Sequence, residues 1–145
     1  MTLIEKIKEN EGFRDKVYED TLGYPTIGYG FLVSSLTPNE LTLNNGKVEP
    51  MSRAVANKIL NLKLCKLECD VFEAFDWLRD KPRNIQEVVI EMCYQIGVAK
   101  VKKFVTTLHH IRVGEYRAAY ENGMKSLWAK QTPARAKKVL NGLFE

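Results

Sequence analysis

The 145-residue sequence predicts a mainly helical α+β fold, in which a small antiparallel β-sheet lobe is joined by a long helix to a larger helical lobe. Three observations carry that expectation. A short amphipathic helix pattern opens the chain, β-prone pieces separated by glycine turns follow it, and from residue 51 onward the sequence is made almost wholly of helix formers. With 45% hydrophobic residues the chain can build one compact core but not two independent domains and a linker, so a single domain over 1–145 is expected. Its sub-lobes would be 13–48 (β-containing), 49–78 (the connecting helix region) and 79–145 together with 1–12 (helical).

Leu3, Ile4 and Ile7 recur at helical spacing against Glu5, Lys6, Lys8 and Glu9, which predicts a helix over residues 2–11 ended by Gly12. From Phe13 to Val33 the pieces VY, YPTI and FLV, separated by TLG and GYG, read as a small antiparallel sheet, with Pro25 where no ladder hydrogen bond is needed. The Asn-, Pro- and Ser-rich stretch SSLTPNELTLNNGKVEP reads as a loop. Met51 to Leu78 then predicts a long helix with Val55, Ile59, Leu62, Cys65, Cys69 and Phe72 on one face. Asn84 is the expected cap of a helix through Ile85, Val88, Val89, Met92 and Tyr94, closed by Gly97. Shorter helices punctuated by Gly114, Gly123 and Pro133 complete the chain. Lobes so joined leave a cleft, where a polymer can lie.

Composition narrows the function classes. No apolar run approaches the roughly 20 residues of a membrane-spanning helix, and the N-terminus lacks the apolar stretch of a signal peptide, so synthesis and accumulation in the cytoplasm are expected. The odd cysteine count (Cys65, Cys69, Cys93) predicts reduced thiols packed as buried small apolar side chains, and the C-x3-C spacing makes a poor metal site, so neither metal nor cofactor is called for. The net charge of +4 conceals an asymmetry: residues 1–99 carry 12 Lys/Arg against 15 Asp/Glu, residues 100–145 carry 10 against 3. The basic C-terminal part could meet nucleic acid, anionic lipid or an acidic polymer, and charge alone does not choose among them.

The chemistry points to a choice. Hydrolysis of a glycosidic bond needs a proton donor and a second polar group that steers water, commonly two carboxyls on opposite sides of the bond. Glu11 falls at the C-terminal end of the first helix, where the macrodipole disfavours negative charge, which suits a general acid. Asp20 falls beside the TLG turn, where solvent and backbone N–H groups favour a carboxylate. Thr26 follows in the next strand, on the face of Tyr24 and opposite Pro25 and Ile27, and its hydroxyl can both donate and accept. A water held by Asp20 and Thr26 could be aimed at an anomeric carbon while Glu11 protonates the leaving oxygen.

The segment EGFRDKVYEDTLGYPTIGYGFL, Glu11 to Leu32, closely resembles the catalytic segment of the phage lysozymes of glycoside hydrolase family 24. It combines Glu-Gly, an aromatic and acid before a glycine turn, and Thr-Ile-Gly-x-Gly in register. A second segment, WAKQTPARAK from Trp128 to Lys137, resembles the family's C-terminal motif. The resemblance implies a lysozyme-like fold and inverting hydrolysis of the β-1,4 bond between N-acetylmuramic acid and N-acetylglucosamine, with Glu11 as acid, Asp20 as second carboxylate and Thr26 as water-positioning hydroxyl. It assigns Arg135 a supporting role toward the catalytic glutamate, and gives Leu32, Tyr94, Thr107 and Asn122 as substrate-contacting positions. The partner it implies is peptidoglycan, cut by a monomeric endolysin that leaves the host cytoplasm for the periplasm through a holin lesion. Nucleic-acid binding and stable membrane insertion are not expected.

The sequence departs from that pattern at Phe31, where the family usually has histidine and where a core role is expected, and in a shorter loop from Val33 to Lys47. His109 and His110 read as surface residues, and Trp77 and Trp128 as packing residues. Two rivals remain. One is a lysozyme-like module that grips peptidoglycan without cutting it, which the joint presence of Glu11, Asp20 and Thr26 argues against. The other is a helical nucleic-acid or membrane binder driven by the basic segment, which tight DNA binding with a steep salt slope and no cell-wall lysis would favour. A combined reading adds disturbance of outer-membrane lipids to catalysis, with Lys100, Lys102 and Lys103 as its test positions.

Overall fold

The computed structural model describes residues 1–145, which divide into two compact units, 1–66 and 67–145. The mainly helical α+β class holds, with one three-stranded antiparallel sheet in order β1-β2-β3. No helix is long and apolar enough to cross a membrane.

The first unit begins with α1 (Leu3–Glu11). Thr2 and Glu5 form a reciprocal capping box: the Glu5 N–H donates to the Thr2 hydroxyl at 3.2 Å and the Thr2 N–H to the Glu5 carboxylate at 2.8 Å. Gly12 ends the helix at φ 68°, a conformation that spares any other residue's Cβ penalty only because glycine has none. The sheet follows as β1 (Arg14–Glu19), β2 (Pro25–Gly28) and β3 (Phe31–Leu32). Arg14 pairs with Gly28 and Tyr18 with Thr26, so residues 15–17 of β1 stand opposite Ile27 alone and the strand bulges between them. Residues in the bulge find partners elsewhere: the Met51 N–H donates to the Asp15 carbonyl and the Val17 N–H to the Glu49 carboxylate, both at 2.8 Å.

The loop expected after the sheet is partly helical. Pro38–Thr42 forms α2, after a 3-10 turn over Val33–Ser35. The reason is legible in hindsight: T-P-N-E places Thr37 at the N-cap, Pro38 at the first helical position and Glu40 three residues on, a second capping box. Glu40 is buried and pairs with Lys63 at 3.1 Å.

Lys63 belongs to α3 (Arg53–Ala74), the long helix, which is shorter than expected because Asp76–Asp80 is a 3-10 turn. Its buried face is also not the expected one. Ala56, Ile59, Leu60, Leu64 and Val71 are buried, whereas Leu62 is 48% exposed and Cys65 and Cys69 are exposed thiols. Apolar residues surround this helix, so periodicity alone cannot single out its core face. The cysteines are free, as expected, but only Cys93 is buried.

The second unit is helical: α4 (Arg83–Ile96), α5 (Val98–Val101), α6 (Val105–Arg112), α7 (Tyr116–Met124), α8 (Leu127–Gln131), α9 (Pro133–Leu140) and a 3-10 segment over Asn141–Phe144. Its core is centred on α4, where Ile85, Val88, Val89, Ile90, Met92 and Cys93 are buried, together with Ile111, Val139, Leu140 and Leu143 from other elements. Asn84 does not cap α4. Pro82 occupies that position, and the Asn84 amide instead donates to the Gly142 carbonyl at 3.0 Å, tying down the C-terminal segment. Gly123 lies within the last turn of α7 rather than between helices, and a Cβ there would stand 2.8 Å from Leu140 Cδ1. Pro133 opens α9 as expected.

Candidate active site

Glu11, Asp20, Thr26 and Leu32 all fall in the first unit, Glu11 on α1, Thr26 and Leu32 on the sheet, and Asp20 directly after β1. Glu11 is the last residue of α1, and the tight Gly12 cap turns the chain immediately into β1. Its half-buried carboxyl lies against Gly30, between β2 and β3. A Cβ placed on Gly30 would stand 2.8 Å from Glu11 Cδ and closer still to a carboxylate oxygen. Gly30 also has φ 74°, so both backbone shape and space there require glycine.

Asp20 and Thr26 are organised by the backbone of one residue, Tyr24. The Tyr24 N–H donates to Asp20 Oδ1 at 2.9 Å, and its carbonyl accepts from the Asp20 N–H at 3.0 Å and from the Thr26 hydroxyl at 2.9 Å. The Leu22 N–H adds a second bond to Asp20 Oδ1 at 2.9 Å. This Asx-type turn follows from the sequence DTLGY, in which a short carboxylate can reach the amides two and four residues on. The consequence is chemical. One oxygen of Asp20 is committed to two N–H donors, leaving Oδ2 as the open acceptor, and the single proton of Thr26 is committed to Tyr24, leaving its hydroxyl lone pairs as acceptors.

Thr26 does not lie on an open strand face. It is 2% exposed and Ile27 is buried as well, while Tyr24, which precedes β2, is 57% exposed. Along β2 only Pro25 is exposed, and Thr26, Ile27 and Gly28 are all buried. Leu32 pairs directly with Thr26 across β2 and β3 and is half-exposed. Phe31, where the familiar pattern has histidine, is buried as expected, with the Lys63 ammonium 5.5 Å from its ring centroid.

Tyr94, Thr107, Asn122 and Arg135 lie in the second unit. Thr107 and Asn122 meet: the buried Thr107 hydroxyl donates to Asn122 Oδ1 at 2.6 Å, which fixes the amide and leaves its NH2 to donate elsewhere. Both line a cavity of about 590 Å3 with Phe104, Trp128, Lys100, Lys103 and Lys125 around it. Trp128 is buried, packs edge-on to Phe104 and donates from Nε1 to Gln95 Oε1 at 2.8 Å. Gln95 in turn donates to the Thr132 hydroxyl at 3.2 Å, and that hydroxyl donates to the Trp128 carbonyl at 3.1 Å. The W-x-x-Q-T-P motif thereby fastens α8 and α9 to α4. Tyr94 and Arg135 are half-buried, on α4 and α9.

Sequence reasoning did not single out Gly30, the Tyr24 backbone or Tyr18 as parts of the site. Tyr18 is opposite Thr26 on β1, and its phenol is raised above its ordinary value by burial and by the charge of Glu11, with Arg14 lowering it and Asp20 raising it. Its signal was its place in the quoted motif, as the aromatic before the acid.

The phage lysozyme family model matches residues 8–145. The pre-baseplate central spike protein Gp5 of Enterobacteria phage T4 is 32% identical over 96% of this chain, which spans only 27% of Gp5. Two Dictyostelium discoideum proteins, probable T4-type lysozymes 1 and 2, are each 25% identical, over 93% and 99% of this chain and 89% and 94% of their own lengths. The chain belongs to the phage lysozyme family and is a glycoside hydrolase of the lysozyme type.

Proposed function

We propose that this protein is a muramidase that hydrolyses the β-1,4 bond between N-acetylmuramic acid and N-acetylglucosamine in peptidoglycan with inversion at the anomeric carbon. The observation that carries the reading is the division of labour in the first unit. Glu11 is held against Gly30 at a helix end, while Asp20 and Thr26 are locked to one backbone unit so that each presents only acceptor lone pairs.

A water donating one proton to Asp20 Oδ2 and the other to Thr26 Oγ1 has its own lone pairs free for attack. Its oxygen bonds to the anomeric carbon as the glycosidic C–O bond breaks. The bonding pair leaves with the sugar oxygen, which takes the Glu11 proton, and the attacking water gives its proton to Asp20. Water attack opposite the leaving group inverts the configuration. Leu32, Tyr94, Thr107 and Asn122 are the substrate-contacting residues in this reading and Arg135 supports the acid. The basic stretch 100–145 suits a polymer whose peptides carry carboxylates.

The biological role we assign is that of a monomeric endolysin, held in the host cytoplasm until a holin opens the inner membrane. The match to Gp5 favours a second reading, a wall-cutting segment of a virion spike. Mass spectrometry separates the two: an endolysin is found free in lysates, a spike segment in purified virions.

The enzymatic reading is tested with Glu11→Gln. The variant keeps the fold and loses muralytic activity, and digestion of purified peptidoglycan by the wild type gives reducing muramic acid ends, first as the inverted anomer by NMR. Unchanged lysis by Glu11→Gln, or anhydro ends in the product, would overturn it.

A further inference from the structure

Every aromatic residue of the chain but one is engaged, most of them by a second ring or a cation. The exception is Tyr24. Its backbone N–H and carbonyl are committed to Asp20 and Thr26, but its ring and hydroxyl have no partner and the residue is 57% exposed. A ring left in water contributes little to the fold, because its apolar area is not removed from solvent.

The strand register decides where that ring stands. Tyr18 pairs with Thr26 and Glu19 with Pro25, and the Asp20 N–H donates to the Tyr24 carbonyl at 3.0 Å, which carries the same pairing one step further, to Asp20 and Tyr24. Residues opposed across antiparallel strands project from one side of the sheet with Cβ atoms about 5 Å apart. Thr26 follows Tyr24 by two residues and projects from that same side, as does Leu32, its partner on β3. The side of the sheet that carries Asp20 and Thr26 therefore bears two exposed apolar side chains, Tyr24 and Leu32, flanking the buried Thr26.

We propose that Tyr24 is a sugar-binding residue, its ring stacked on the apolar C–H face of the pyranose whose anomeric carbon the water attacks. The role rests on the muramidase reading. A pyranose chair is polar around its rim, while its axial C–H bonds make a flat apolar face that an aromatic ring can cover with the phenol tip still wet. The water held by Asp20 and Thr26 lies on the side of the sugar opposite the leaving oxygen. Tyr24 rises beside Asp20, so its ring meets the sugar from the water side. Its backbone fixes Asp20 and Thr26, so one residue places both the sugar and the groups that hold the water.

The test is Tyr24→Ala, which removes the ring and keeps the N–H and carbonyl that Asp20 and Thr26 use. With purified peptidoglycan, KM is expected to rise about 3- to 10-fold, the loss falling on KM rather than kcat. Thermal melting should stay at the wild-type value, since the ring has no contact to lose. Tyr24→Phe and Tyr24→Trp keep a stacking face and bring KM back toward wild type, whereas Tyr24→Leu, apolar but not flat, does not. Wild-type KM in Tyr24→Ala, a fall in kcat with KM unmoved, or equal recovery by leucine and phenylalanine overturns the proposal.

A second measurement needs no turnover. In ring-labelled protein carrying Glu11→Gln, the Tyr24 signal, assigned by its loss in Tyr24→Phe, should move in NMR spectra as purified glycan strands are titrated in. An unmoved Tyr24 signal overturns the contact. A wild-type protein that shows the shift but releases no reducing ends overturns the muramidase reading and leaves the contact standing.

Discussion

Replacement of Gly30 by alanine separates two things the site requires of that residue. The backbone at φ 74° disfavours an L side chain by about 1–2 kcal/mol. The new Cβ also meets Glu11, with Cδ at 2.8 Å where ordinary contact begins at 3.4 Å, so the carboxyl group must retreat by about 0.6 Å and its nearer oxygen by more. Misplacement of a reacting group by roughly 1 Å can cost about 100-fold in rate. Gly30→Ala is therefore expected to lose about 100-fold in kcat for peptidoglycan hydrolysis, and about 3–8 °C in melting temperature if the backbone strain is felt in full. Gly46→Ala is the matched control, since Gly46 has φ 77° and open space around its Cβ position. It should lose a similar increment of melting temperature and keep full activity. Gly30→Ala with activity within a few-fold of wild type would refute the argument that Glu11 is seated on Gly30, and equal loss of activity in Gly46→Ala would assign the effect to strain alone.

Asp20 has a structural and a chemical task that two substitutions divide. Asp20→Asn retains an oxygen for the Leu22 and Tyr24 N–H groups, so melting should be near wild type while activity falls about 100- to 10,000-fold; Asp20→Ala should lose about 1 kcal/mol of stability in addition, by thermal or urea unfolding. Cys93 is buried and its thiol is pushed up to about 12, so at pH 8 it stays a protonated, shielded thiol. Ellman's reagent should titrate Cys65 and Cys69 quickly in the folded protein and Cys93 only after unfolding; three equally fast thiols would contradict the packing around α4. Thr107→Val removes the donor that fixes the Asn122 amide. If Asn122 binds substrate, KM rises while kcat is unchanged, and a fall in kcat alone would detach this pair from binding.

The candidate carboxyls were legible because their chemistry is local. Asp20 is held by residues within a few positions through the DTLGY turn, and the Gly12 cap places Glu11 at a helix end, so helix-end and Asx-turn rules apply directly, although the Gly30 seat of the Glu11 carboxyl lies 19 residues on. The second helical lobe was legible in outline for a similar reason, since Gly97 and Pro133 punctuate it where chain chemistry requires. What stayed hidden depends on partners far along the chain. The core face of α3 is chosen by what packs on it, and apolar residues all around that helix leave its own sequence silent on the matter. Asn84 fits an N-cap by type, but the carbonyl of Gly142, 58 residues away, claims its amide. The helix at Pro38–Thr42 is a different kind of omission, because T-P-N-E does carry a local signal that the surrounding turn-rich composition outweighed.

The two motifs also hide a distinction between residues that react and residues that hold. In the C-terminal motif, Trp128, Gln131, Thr132 and Pro133 stand together in sequence, yet the bonds from Trp128 to Gln95 and from Gln95 to Thr132 show that Trp128 and Thr132 fasten helices. In the N-terminal motif the same division runs the other way. Gly30 and Tyr24 contribute no reacting side chain, but the Glu11 carboxyl occupies the space a side chain on Gly30 would need, and the backbone of Tyr24 takes the Thr26 hydroxyl proton and binds one Asp20 oxygen, leaving Thr26 Oγ1 and Asp20 Oδ2 as hydrogen-bond acceptors. The chemistry attributed to three side chains is therefore set by two backbone units. A sequence search restricted to titratable residues finds the candidate acid and base, but the groups that decide what those residues can do with a water molecule are amides, carbonyls and the absence of a Cβ.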